Sequence, residues 1–263
     1  TEEEAATRSS RDLDAENGTA ESITTIQLNA AGKPASEGDF GNWYYSADSG
    51  CQLDTGVFAL QPSSEPEAES ALKARLFHIG DKAELVRGTV GCETNNYGTI
   101  SGGTFQGNVD NWGTISNGTF QENVYNHGTI SNGTFQKSVT NSKTISDGIF
   151  QGKVANFRTI SGGTFEEVVE MNESTEVATI EGGTFKKDIE LNAYSPTITD
   201  GLFDGKVSAA EDYSGMLMLS ISGGLFTNAA AISTISPSNL SITGGYFVNK
   251  PTLREGNDIA FTS

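Results

Sequence analysis

The sequence predicts an all-β fold, a single-stranded parallel β-helix whose triangular coils of about 15 residues stack into a solenoid. Three observations carry this. A unit of the form T-I-x-x-G-x-F, with Ser for Thr in its last two copies, recurs nine times between residues 98 and 249. Three apolar columns run through the regular units at steps of five, four and six residues. Glycine is abundant at 31 residues and proline scarce at 6 in a chain of 263, which suits many short strands joined by glycine turns.

The regular units are GTISGGTFQGNVDNW from Gly98, GTISNGTFQENVYNH from Gly113, GTISNGTFQKSVTNS from Gly128 and KTISDGIFQGKVANF from Lys143. The first apolar column runs from Ile100 to Ile242, the second from Phe105 to Phe247 and the third from Val109 to Val207. Their spacing lets each short strand aim one side chain inward and its neighbours outward. A triangular coil with an Ile/Phe/Val core follows. One coil cannot cover its own apolar side, so the coils must fold as a stack. At about 4.8 Å between strands, the nine units reach about 40 Å.

The first corner of each unit reads S-G-G, S-N-G or S-D-G, and its second glycine is expected to take positive φ. Asn117, Asn132 and Asp147, which precede that glycine, are expected to tolerate the same left-handed region. At a second corner Asn111, Asn126, Asn141 and Asn156 recur, and their amides are expected to hydrogen-bond up the stack. Beyond Phe165 the Ile-to-Ile step grows from 15 to 20, 18, 23 and 21, with every insertion placed between the third column and the next Ile. Loops are therefore predicted at residues 171–177, 191–195, 209–218 and 228–239, gathered on one edge.

Residues 1–21 hold seven acids among polar and small residues, so a disordered lead-in is expected there. The chain does not begin with Met, which points to a mature or trimmed form. Residues 22–97, with the strand-like segments SITTIQL, NWYYSA and GVFALQ, read as a β-rich N-terminal cap. Helix formers closed by Gly80 predict one short helix within it, near residues 66–77. Residues 98–249 are the β-helix and residues 250–263 a C-terminal tail.

A formal charge of −18, from 34 acids against 16 bases, repels phosphate backbones and anionic membranes and argues against nucleic acid as a partner. No segment approaches the roughly 20 apolar residues a membrane span needs, so no membrane insertion is expected. Cys51 and Cys92 are expected to form one disulfide if the chain is exported, and to remain reduced thiols otherwise. C-x-x-C pairs and His/Cys clusters are missing from the sequence, so no metal and no cofactor are predicted.

The stretch GNWYYSADSGCQL, followed by ISGGTF repeats, resembles secreted right-handed parallel β-helix repeat proteins of Gram-positive bacteria over residues 40–249. The resemblance implies a right-handed coil, a secreted or cell-surface location, and a carbohydrate-binding or adhesive role. It specifies fold better than activity. A coil of about 15 residues is shorter than that of the β-helical polysaccharide lyases, which argues against a lyase-type groove.

One position beyond the corner Asn, an outward column reads Tyr97, Trp112, His127, Ser142 and Phe157. Aromatic faces repeated at the coil rise can bind the apolar faces of sugar rings along a polysaccharide or surface glycan. Stacking on one another to shield the corner is the other reading of the same rings. Thr99 and Ser101, with their equivalents in later coils, form hydroxyl rows like those of ice-binding solenoids, but Glu181 interrupts them and such residues suit exposed strands anyway. Glu170 and Glu190 occupy matching positions and could serve a polysaccharide lyase or hydrolase, which needs two carboxyls within about 5 to 10 Å. Glu166 faces Lys186, Glu167 faces Lys187 and Glu122 faces Lys137, a pattern of charge pairing between coils. No catalytic residue is assigned. A structural spacer is the remaining class, and the oligomeric state is left open.

Overall fold

A computed structural model of the chain describes residues 22–210, 217–228, 232–233 and 240–248. The expected lead-in over 1–21 and tail over 250–263 lie outside these residues. Each regular coil holds three very short strands, as in Thr99–Ile100, Thr104–Phe105 and Val109–Asn111. Every strand pairs in parallel with its counterpart one coil on: Ile115 lies between Ile100 and Ile130, Phe120 between Phe105 and Phe135, Val124 between Val109 and Val139. The chain is a parallel β-solenoid.

The inward residues are fully removed from water. Phe105, Phe120, Phe135, Phe150, Phe165, Phe185, Phe203 and Phe226 are buried, and with Phe247 their rings stack at 4.5–5.0 Å with planes within 9°. Burying a Phe side chain contributes about 1.5 to 3 kcal/mol, so this column is a major source of cohesion. The glycine that precedes each Thr-Phe strand has φ between +99° and +132°, as expected, from Gly103 to Gly245. Asn117, Asn132 and Asp147 act differently from the expectation. None of them has positive φ, and each accepts the N–H of the following glycine on its own Oδ1 at 2.7–2.8 Å.

The cap uses longer strands. β1 (Ile23–Gln27) pairs in parallel with the second half of β4 (Gly50–Gln61), while β2 (Gly38–Asp39) and β3 (Trp43–Ser46) form an antiparallel meander with its first half. β4 pairs in parallel with β5 (Phe77–Arg87), and β5 pairs with both Thr94–Asn96 and Thr99–Ile100 of the next coil. The solenoid ladders thus continue below residue 98. Phe77 lies under Thr94, Leu85 under Ile100, and Val90 under Phe105.

One cap expectation needs correction. No helix forms over residues 66–77: Leu72 is buried and makes a parallel bridge to Val90, and Phe77 opens β5. A helix there would leave the lower edge of the Phe face unpaired, and that tertiary demand overrides local propensity. Cys51 and Cys92 are free thiols. Burial pushes the Cys51 thiol up to about 12 and the Cys92 thiol up to about 11.

The loops over 171–177 and 191–195 leave from the expected corner, after Val169–Asn172 and Ile189–Asn192. So does 209–218, of which 211–216 lie outside the described residues. The fourth loop, 228–239, is corrected: Ile232–Ser233 pairs with Val207 and Ser208, so the third ladder runs through it. Some of the inserted length therefore precedes the third strand, with Phe226 and Ile232 six positions apart in place of four. Among the described residues no helix is long and apolar enough to cross a membrane.

Candidate functional site

The corner between the third strand and the next first strand is set by the asparagines. Asn96, Asn111, Asn126, Asn141 and Asn156 are fully buried, and each of the first four donates through Nδ2 to the Oδ1 of the next at 2.6–2.8 Å. Asn126 Nδ2 also lies 3.1 Å from the carbonyls of Gly128 and Thr144, so one amide joins its own corner to the coil above. The predicted ladder is present. A buried amide left without partners would cost about 1 to 3 kcal/mol, which the ladder avoids.

With the Asn turned inward, the next residue points out, and its backbone is anchored identically from coil to coil. The N–H groups of Trp112, His127, Ser142 and Phe157 donate to the carbonyls of Asn96, Asn111, Asn126 and Asn141 at 2.7–2.8 Å. Tyr97 donates likewise to Ile79 at 2.8 Å. The structure brings Tyr97, Trp112 and His127 into one ridge: Tyr97 and Trp112 lie 6.4 Å apart with planes 6° from parallel, Trp112 and His127 4.2 Å apart at 22°. Trp112 is 53% and Tyr97 45% exposed in spite of these contacts. Phe157 is not in the stack, because exposed Ser142 takes the intervening coil.

His78 extends the ridge below Tyr97, with centroids 5.0 Å apart. It lies 19 residues before Tyr97, off the 15-residue period, so aligning the repeats could not reveal it. Burial holds His78 below the usual histidine range, with Asp54 pulling the other way. At neutral pH it stacks as an uncharged ring. Tyr125, exposed two residues before His127, adds a further ring on the adjoining face, in a column that otherwise holds Asp110, Thr140 and Ala155 and so gives no recurring aromatic signal.

At the foot of the ridge an open depression of about 460 Å³ is lined by Gln52, Asp54, Thr55, His78, Gly80, Asp81, Lys82 and Tyr97. Gln52 Nε2 donates to Asp54 Oδ1 at 2.6 Å, which orients both side chains on its wall. A second, smaller hollow of about 240 Å³ lies between the first two inserted loops, around Glu173, Glu176 and Tyr194.

Glu170 and Glu190 face each other in register, and Glu170 is bound by Lys153 at 2.5 Å. Of the expected charge pairs between coils, Glu166 and Lys186 meet at 3.0 Å, whereas Glu167 with Lys187 and Glu122 with Lys137 do not come into contact. Among the described residues no group of three or more His, Cys, Asp and Glu could hold a metal ion. Compared with family models, with curated proteins and with solved structures, the chain matches none.

Proposed function

We propose that the protein is a secreted or cell-surface β-helix module, without enzymatic activity, that binds a polysaccharide or surface glycan along the ridge of His78, Tyr97, Trp112 and His127. The observation that carries this is the ridge itself: large aromatic rings held in line at the coil rise and left half open to solvent by a rigid scaffold. Stacking covers the faces the rings turn to one another, so a ligand meets their flanks and the outer face of His127. Gln52, Asp54, Asp81 and Lys82 in the adjoining depression supply the amide, carboxylate and ammonium groups that sugar hydroxyls need.

The close contact of Trp112 with His127 also favours a second reading, in which the rings only shield the corner of a structural spacer. A glycan array with the wild type against Trp112→Ala separates the two. Glycan binding predicts a bound class in the wild type whose affinity falls about ten-fold or more in the variant. Absence of any bound glycan, or binding indifferent to the substitution, would overturn the glycan reading in favour of the spacer.

A further inference from the structure

The aromatic column skips one coil. Ser142 takes the outward position between His127 and Phe157, and all three are anchored to the corner carbonyls in the same way. Ser142 and its neighbour Lys143 are exposed, so no other part of the described chain fills the step. Phe157 makes no ring contact among the described residues, although every other ring of the column stacks on a neighbour.

The dimensions of this step are those of one ring. Aromatic groups on adjacent coils lie 4.2–6.4 Å apart on the ridge and 4.5–5.0 Å apart in the core. The positions of His127 and Phe157 are two rungs apart, about 9.6 Å, so a ring placed midway would stand about 4.8 Å from each. The far wall is held in place by the first inserted loop: the Ser174 hydroxyl donates to the Phe157 carbonyl at 2.9 Å, and Arg158 pairs with Glu176. The step therefore lies where the regular stack meets the looped one.

We infer that this step is a seat for a single pyranose ring, held between His127 and Phe157 with Ser142 as its floor. The inference rests on the glycan-binding reading and deepens it, because it names the unit that the ridge recognises. A pyranose carries C–H groups on both faces, and their partial positive charge is complementary to the negative faces of the two aromatic rings. Its hydroxyls point to the rim, where the Lys143 ammonium can meet them. A larger aromatic in place of Ser142 would close the column and exclude the sugar.

The test uses the whole protein with cello-, xylo-, manno- and chitohexaose as probes, read by calorimetry. Ser142→Trp fills the seat, Ser142→Ala leaves it open, and Phe157→Ala removes one wall. For a hexasaccharide that binds the wild type, Ser142→Trp and Phe157→Ala should each weaken binding about ten-fold or more, with Ser142→Ala within about two-fold. An unfolding temperature for Ser142→Trp no lower than that of the wild type establishes that its loss is local. If Ser142→Trp binds as the wild type does while Trp112→Ala does not bind, the seat is overturned and the ridge stands. If no hexasaccharide binds the wild type, the seat falls, and the ridge falls with it only where the glycan array is blank as well.

Discussion

From Asn96 to Asn156 the third strand turns into the next first strand through two residues, and the turning position is a buried amide. From Met171 on, the same ladder position holds Met171, Leu191 and Ala209, and the corners lengthen to seven, five and ten residues. The core columns are the same in both regions. What differs is how the corner carbonyls are satisfied. In the regular stack the Asn amide reaches the carbonyl two residues on and the carbonyl of the coil above. In the looped stack Met171 and Leu191 pack on each other in the core and have no amide to offer, while the Ser174 hydroxyl of the first loop reaches the Phe157 and Glu176 carbonyls. A tight corner needs the amide, and an apolar residue there leaves room for inserted chain.

The largest effect is expected where the ladder is cut in its middle. Asn126→Ala takes the shortest hydrogen bond from both Asn111 Nδ2 and Asn141 Oδ1 and leaves a cavity, and should cost about 4 kcal/mol in urea unfolding. Asn126→Leu should fare no better, because partners are lost and volume is not. Leucine at 191 cuts no ladder, because Asn156 is the last amide and Met171 lies between them. A Leu variant within about 1 kcal/mol of the wild type would show that the amides do not hold the corner.

A loop deletion sharpens the same comparison with a smaller effect. Removing residues 173–177 restores the 15-residue step between Ile160 and Ile180 but leaves Met171 at the turn. The deletion alone should destabilise the chain by about 2 kcal/mol, since the shortened corner has no amide for its carbonyls. Adding Met171→Asn should recover most of that loss by extending the ladder beyond Asn156. Equal unfolding midpoints for the two variants would separate corner length from the asparagine.

How much of this was legible depended on periodicity. The three core columns, the positive-φ glycines and the Asn ladder repeat every 15 residues, and repetition within one chain is enough to assign them. The cap does not repeat: Leu72, Phe77 and Leu85 continue the columns of Phe105, Val109 and Ile100 with other residues at other spacings, so 66–77 read as a helix from its local propensity. On the ridge, Tyr97, Trp112 and His127 followed from the period, whereas His78 and the depression beside it depend on how the irregular β4 and β5 pass under the first coil.

The smallest predicted effect lies at the boundary between cap and regular stack. Every Asn Oδ1 in the ladder above Asn96 accepts from the amide below it, but beneath Asn96 stands Ile79, which has nothing to donate. Asn96 Oδ1 and, two residues earlier, Thr94 Oγ1 are both buried without a hydrogen-bond partner. Thr94 occupies the third column between Phe77 and Val109, a place that every regular coil gives to valine. Its hydroxyl is desolvated with no return, so Thr94→Val should raise stability by about 1 kcal/mol while leaving the ladder intact. Asn96 differs, because its Nδ2 serves Asn111 and the Thr114 carbonyl and its replacement would cost more than the orphan oxygen does. A loss of stability in Thr94→Val would mean instead that the hydroxyl and Asn96 Oδ1 share an internal water, and that the ladder starts on a solvent molecule.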